Sequence, residues 1–95
     1  MERVETTFRA DFAIADYFGE EAIKDTYRRS HKAYKGNVQY YTEFVIALNL
    51  ALWHWYYKGN EKLARVYDAL WKKAHSYALH HFKGEELNFY LRETD

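Results

Sequence analysis

A chain of 95 residues is long enough for one domain, residues 1–95, and lies close to the smallest size at which one apolar core is stable alone. The absence of cysteine excludes disulfides, thiolate zinc sites and cysteine nucleophiles. The 14 basic and 14 acidic residues cancel, which excludes a strong overall attraction to polyanions, whereas the 20% aromatic content is high and supplies unusual contact area.

Membrane insertion and secretion are not predicted. The chain lacks an uncharged apolar run of the length that spans a bilayer, and its first five residues, Met-Glu-Arg-Val-Glu, lack the apolar stretch of a secretory signal. We therefore expect a soluble intracellular protein that does not enter a membrane.

Four glycines are the strongest breaks in the chain, because it contains no proline. They stand at positions 19, 36, 59 and 84 and leave stretches of helical length between them. Two of them belong to Lys-Gly-Asn tripeptides, at 35–37 and 58–60. In each tripeptide the glycine is suited to end a helix and the asparagine to cap the next one. Such short connections favour antiparallel neighbours.

The N-terminal region has two patterns. Val4, Thr6 and Phe8 alternate with polar residues, which is typical of an extended segment. A short helix is predicted near 11–18, with an apolar set made of Phe12, Ile14, Ala15 and Phe18.

Three longer helices follow. Residues 20–35 carry Ile23, Tyr27 and Tyr34 on one face, opposite a charged face. Residues 38–58 are apolar nearly all round, which predicts the central helix of the fold, and residues 61–83 form a one-sided amphipathic helix.

The segment after Gly84 is ambiguous, because Leu87, Phe89 and Leu91 alternate with other residues. It fits a ribbon paired with the N-terminus, an extended arm or one more helical turn. The predicted fold is all-α: a small antiparallel bundle of three main helices plus a short N-terminal helix, with extended termini as one alternative.

A basic stripe on the second predicted helix favours nucleic-acid binding as one alternative. Lys24, Arg28, His31 and Lys35 recur at helical spacing, and residues 28–83 hold ten bases against three acids. A solvated helix face, neutralised by the acidic ends of the chain, explains the same pattern. Ala15 and Gly19 have the spacing of a helix-turn-helix, but the apolar positions that this motif needs are charged here: Glu20, Asp25 and Arg28.

Metal and catalytic sites are not predicted. His75, His80, His81 and Glu85 are close in sequence, but only His81 and Glu85 have a spacing that shares one helix face. No phosphate-binding loop, nucleophile elbow or metalloprotease motif occurs. We therefore expect a non-enzymatic protein without a metal or other cofactor.

Aromatic residues crowd the central helix and cannot all face inward on so short a rod. They are Tyr40, Tyr41, Trp53, Trp55, Tyr56 and Tyr57. Either some of them form an exposed binding hot spot or they provide a bulky core and belt for a small domain.

The chain resembles a group of small helical proteins encoded on phages, plasmids and conjugative elements of gut Firmicutes. The resemblance rests on residues 11–19 (DFAIADYFG) leading into 24–27, on 59–64 (GNEKLA) with Tyr67 and Leu70-Trp71, and on 83–87 (KGEEL) with the end 92–95. Arg28-Arg29-Ser30-His31-Lys32 is more basic than this resemblance leads one to expect. The resemblance implies a context, an accessory protein of a mobile element in the bacterial cytoplasm, and no activity.

The function predicted from these observations is binding of a host protein or a protein of the element itself, with inhibition of a host defence system as one form. Trp55, Tyr56 and Tyr57 are the expected apolar anchors, and Arg28, Arg29 and Lys32 are the expected charged rim. A homodimer that covers the exposed aromatic residues is also compatible with the sequence.

Overall fold

A computed structural model describes the backbone of residues 4–94 and the side chains of residues 7–94. Five α-helices make up this part of the chain: α1 (Val4–Phe18), α2 (Glu20–Tyr34), α3 (Val38–Tyr57), α4 (Glu61–His81) and α5 (Gly84–Thr94). The predicted all-α class is confirmed, and no strand occurs between residues 4 and 94. The predicted number of helices was one too low.

The N-terminal helix is longer than predicted, because α1 begins at Val4 rather than near residue 11. Phe8, Phe12 and Ala15 recur at helical spacing and are buried, so the first of them extends the core stripe toward the N-terminus. Ile14 and Phe18, which we expected in the apolar face of this helix, are exposed. Residues 1–3 lie outside the described part of the chain.

The C-terminal segment is a helix, which corrects the ribbon and arm alternatives. Tyr90 is fully buried, and Leu87 and Thr94 are half-buried. Leu87 lies three residues before Tyr90 and Thr94 four residues after it, which is the spacing of one helix face and not of a strand. Glu85 and Glu86 occupy the first turn and Arg92 the last turn, the arrangement that the helix dipole favours. Asp95 lies outside the described residues.

Both predicted asparagine caps are confirmed. The side-chain oxygen of Asn37 accepts a hydrogen bond of 3.1 Å from the backbone N–H of Tyr40. Asn60 does the same for Leu63, also at 3.1 Å. These caps satisfy N–H groups that have no partner within the helix, so α3 and α4 each begin where the asparagine places them.

α3 is the central helix and contacts each of the other four. Tyr41, Phe44 and Leu48 are fully buried on it. The ring of Phe44 packs on Phe8 of α1 and on Tyr27 of α2, with ring centroids 5.5 Å and 5.4 Å apart. The nearly continuous apolar run of this helix thus reflects burial from several sides.

Helices α1 to α4 each run antiparallel to the next along the chain. Tyr34 at the end of α2 contacts Phe8 near the start of α1, with ring centroids 5.2 Å apart. Near the end of α4, Tyr77 meets Tyr41 near the start of α3 at 5.1 Å. Consequently α1 and α3 run parallel, and the ends of both lie at the same end of the bundle. Between residues 4 and 94, no helix combines the length and hydrophobicity needed to cross a membrane.

Candidate functional site

The second half of α3 is less buried than its first half. All of its buried residues lie between Tyr41 and Leu48, and none is buried from Leu50 to Tyr57. The short α5 packs near the start of α3, where Phe89 and Arg92 share a groove with Val38. The outer side of the second half of α3 therefore has no helix against it in the described part of the chain.

Three aromatic side chains cluster on this half of α3. The rings of Trp53, Tyr56 and Tyr57 lie 5.5 Å to 5.9 Å apart, centroid to centroid. Trp53 and Tyr57 are inclined to each other, whereas each forms an edge-to-face pair with Tyr56. These mutual contacts fix the rings before any partner arrives, which lowers the entropic cost of binding.

The end of α1 adds further exposed apolar side chains. Tyr17 is 91% exposed, Phe18 is 77% exposed and Ile14 is 62% exposed. They are exposed because the core stripe of α1 runs through Phe8, Phe12 and Ala15, and the three exposed side chains lie on other faces of the helix. A helix that is apolar on more than one face leaves one of them uncovered unless it lies at the centre of the fold.

Asp16 and Trp55 hold the two exposed regions together. The indole N–H of Trp55 donates to the carboxylate of Asp16 over 2.9 Å, and the hydroxyl of Tyr67 on α4 donates to the other carboxylate oxygen. Burial raises the pKa of Asp16 above its ordinary value, although these two hydrogen bonds and the nearby His54 act in the opposite direction. Burial raises the pKa of Tyr67 most, and its bond to Asp16 raises it further. The hydroxyl therefore keeps its proton and remains a donor.

A shallow groove of about 420 Å³ runs between α1 and α3. Small side chains form much of its lining, and Leu50 stands at its edge. Arg9 lies toward one end, while Asp16 and His54 lie toward the other. We call the exposed apolar side chains beside this groove the α1–α3 surface; its members are Tyr17, Leu50, Trp53, Tyr56 and Tyr57, whereas Ile14 and Phe18 line a separate recess between α1 and α2.

The expected aromatic anchors therefore occupy different environments. Tyr56 and Tyr57 are exposed, at 59% and 80%, and belong to the α1–α3 surface. Trp55 is half-buried and its indole N–H is bonded to Asp16, so this side chain joins α3 to α1. Sequence reasoning did not select Trp53 or Tyr17 as anchors.

The expected charged rim does not adjoin these aromatic residues. Arg28, Arg29 and Lys32 are exposed on α2. α2 packs on the inner side of α3, where His31 approaches the hydroxyl of Tyr41 within 2.7 Å. The cluster formed by Trp53, Tyr56 and Tyr57 instead lies on the outer side of α3, beyond its buried residues.

Much of the basic stripe on α2 is paired with acids of the same helix. Lys24 lies 3.0 Å from a carboxylate oxygen of Glu20. Arg29 lies 3.1 Å from Asp25, and Arg28 lies 4.0 Å from the same residue. His31 is half-buried, whereas Lys32 and Lys35 are exposed. Ion pairs between neighbours on a helix surface reduce the positive potential that the stripe can offer to phosphates.

The C-terminal histidines have separate contacts. His75 approaches the hydroxyl of Tyr90 within 2.6 Å, and His80 approaches the backbone oxygen of Ser76 within 2.7 Å. His81 stacks on Tyr77, with ring centroids 4.6 Å apart. In the described part of the chain, no group of three histidine, aspartate or glutamate side chains is placed to hold a metal ion.

Comparison with known proteins finds no match to a family model, to a curated protein or to a solved structure.

Proposed function

We propose that this protein is a non-enzymatic protein-binding module and that the α1–α3 surface is its binding surface. The exposed area carries the proposal. Taking about 200 Å² for a fully exposed large apolar side chain, the exposures of its five members amount to about 600 Å². The largest apolar patch on a typical monomer is about 300–600 Å² and is often functional, and this surface lies at the upper end of that range.

The composition of the surface supports binding to protein. Tyrosine and tryptophan are the residues most enriched at binding hot spots, and this surface contains Tyr17, Trp53, Tyr56 and Tyr57. A tyrosine offers a large apolar area and a hydroxyl at low entropic cost. The resemblance to proteins of mobile elements favours a host protein or a protein of the element as partner, in the bacterial cytoplasm. Inhibition of a host defence system is one form that such binding takes.

The rival function is nucleic-acid binding through α2. The ion pairs of Lys24, Arg28 and Arg29 weigh against it, because phosphate binding must compete with acids already in contact. The rival predicts that the protein binds a short fluorescent DNA duplex at about 50 mM salt and releases it steeply as salt rises. Lys32→Ala combined with Lys35→Ala should then weaken that binding.

The test of the proposed function compares two double variants in quantitative affinity purification from bacterial cells. Trp53→Ala with Tyr57→Ala truncates the α1–α3 surface, whereas Lys32→Ala with Lys35→Ala changes exposed residues of α2. We expect a partner that the wild type and the α2 variant retain and the α3 variant loses. Equal recovery by all three proteins would show that the surface is not used. Trp55 is a poor probe here, because its truncation also removes the bond to Asp16.

A further inference from the structure

We infer that the occupant of the α1–α3 surface is a second copy of this chain, bound about a two-fold axis. This inference rests on the proposed function, since it names the partner of the same surface. It requires that the surface be large enough, acceptable in charge and complementary to itself.

The size matches that of a stable dimer. The exposed apolar side chains offer about 600 Å². A standard interface buries about 800 Å² on each partner, of which about 65% is apolar in homodimers. A second copy covers it with the same area and the same chemistry.

The charge of the surface also suits a second copy. Its five members are uncharged, and the chain as a whole has a formal net charge of zero at pH 7. Two copies therefore approach without net repulsion. An apolar surface of this kind is complementary to another apolar surface, so a second copy of the chain is a chemically suitable partner.

The ends of the groove carry opposite charges. Arg9 lies toward one end and Asp16 toward the other. A two-fold axis perpendicular to the groove brings the Arg9 end of each copy over the Asp16 end of the other. This arrangement keeps the like charges of the two copies apart.

The shape of the surface is complementary to itself. The groove, lined by Ala10, Ala13, Ala47 and Ala51, is a recess of about 420 Å³. The exposed rings of Trp53 and Tyr57 lie on α3 beyond its edge at Leu50. Two copies related by a two-fold axis can each place such rings against the recess of the other, as an interface built from one repeated patch requires.

The experiment measures the mass of the full chain in solution by sedimentation and by light scattering, from about 1 µM to about 100 µM. We expect the wild type to approach twice its chain mass of 11.5 kDa as the concentration rises. Tyr17→Lys combined with Tyr57→Lys places like charges on the two-fold interface at side chains that are 91% and 80% exposed. We expect this variant to keep the helical circular dichroism of the wild type and to weaken dimerisation at least tenfold.

Leu79→Lys is the matched control, because it adds a lysine at an exposed apolar side chain of α4. It lies near the end of α4, at the opposite end of the bundle from Tyr57. We expect this variant to dimerise as the wild type does.

A cysteine cross-link locates the interface, because the natural chain has no cysteine. Ala13→Cys lies in the groove, and Ala69→Cys replaces an alanine on α4 that is also exposed. With a short bifunctional maleimide, we expect cross-linked dimer from Ala13→Cys and little from Ala69→Cys. The reverse pattern would overturn the inference.

A wild type that stays monomeric at about 100 µM also overturns it, as does a dimer that the two lysines leave intact. So does growth to ever larger species, which indicates contact between unlike surfaces. The proposed function fails separately: a monomeric wild type whose cellular partner is lost on truncating Trp53 and Tyr57 refutes self-association and leaves protein binding standing.

Discussion

Asp16 is the residue on which the end of the bundle depends. It accepts hydrogen bonds from Trp55 of α3 and Tyr67 of α4, so one carboxylate on α1 joins three helices. Half-burial of a carboxylate is costly, and these two donors offset part of that cost. The same contacts set the position of Tyr17, the next residue along α1, relative to Tyr56, the next residue along α3.

Tyr67→Phe tests this junction. The substitution removes the hydroxyl but keeps the buried ring, and it leaves the half-buried Asp16 with one donor fewer. We expect the free energy of unfolding to fall by about 1.5–3 kcal/mol, the range for a hydrogen bond to a charged group. Urea denaturation followed by circular dichroism measures it. Tyr17→Phe is the control and should change stability by less than about 0.5 kcal/mol, because Tyr17 is exposed.

His31 is a second residue whose protonation is linked to folding. Its Nδ1 lies 2.7 Å from the hydroxyl of Tyr41. Burial lowers the pKa of His31, and Lys35, Lys73 and His81 lower it further by their charge. Burial raises the pKa of Tyr41, so its hydroxyl keeps its proton and is hydrogen-bonded to the neutral imidazole.

Stability should therefore decrease in mild acid. Because the pKa of His31 is lowered on folding, the unfolded chain takes up more protons than the folded chain once the pH drops below 6.5, the ordinary value. The loss continues until the pH falls below the lowered pKa and then stops. His31→Asn keeps an acceptor for Tyr41 but cannot titrate, so its free energy of unfolding should change less over this window. Urea denaturation at a series of pH values compares the two proteins, and parallel curves would contradict the linkage.

At the scale of the elements, two glycines at similar junctions should respond differently to alanine. Gly59 has a φ of +81°, a conformation that residues with a Cβ rarely adopt, whereas Gly36 has no positive φ. An added Cβ meets no atom within 4 Å at either position, so backbone conformation alone separates them. We expect Gly59→Ala to lower the free energy of unfolding by about 1–2 kcal/mol.

Gly36→Ala is the matched variant and should be neutral or stabilising by up to about 1 kcal/mol, because alanine restricts the unfolded chain. Chemical denaturation of both variants measures the difference. An equal loss of stability in the two variants would show that both junctions require glycine, contrary to their dihedral angles.

The sequence was sufficient to predict the helices between Gly19 and Phe82, because caps and helical spacing agree there. It was insufficient at both ends. Val4, Thr6 and Phe8 fit an alternating pattern, as do Leu87, Phe89 and Leu91. Both segments are helical because this conformation buries Phe8 and Tyr90 in the core. Such burial depends on residues distant in sequence.

At the scale of the whole molecule, the surface could be predicted only in part. The excess of aromatic residues on α3 correctly implied that some are exposed, and Tyr56 and Tyr57 are. The environment of Trp55 depends on Asp16, which lies 39 positions away in sequence. The exposure of Tyr17 depends on which face of α1 the core takes. Neither relation is visible in a local pattern.

The salt dependence of self-association follows from the neutrality of the whole chain. A contact made by uncharged side chains is affected little by screening, and the Arg9 and Asp16 ends of the groove add only a modest term. We expect the dissociation constant of the dimer to change by less than about threefold between about 50 mM and about 500 mM sodium chloride. Sedimentation at several salt concentrations measures it. A steep weakening with salt would assign the contact to charged residues such as those of α2.

The placement of Trp53 gives the molecule an optical reporter of its own binding surface. Of the three tryptophans, Trp53 is exposed, while Trp55 and Trp71 are half-buried. Indole emission shifts to shorter wavelength when water is removed from the ring. Trp53→Phe should therefore abolish most of the blue shift that accompanies an increase in protein concentration. Occupancy of the surface can in this way be followed by intrinsic fluorescence, without a label.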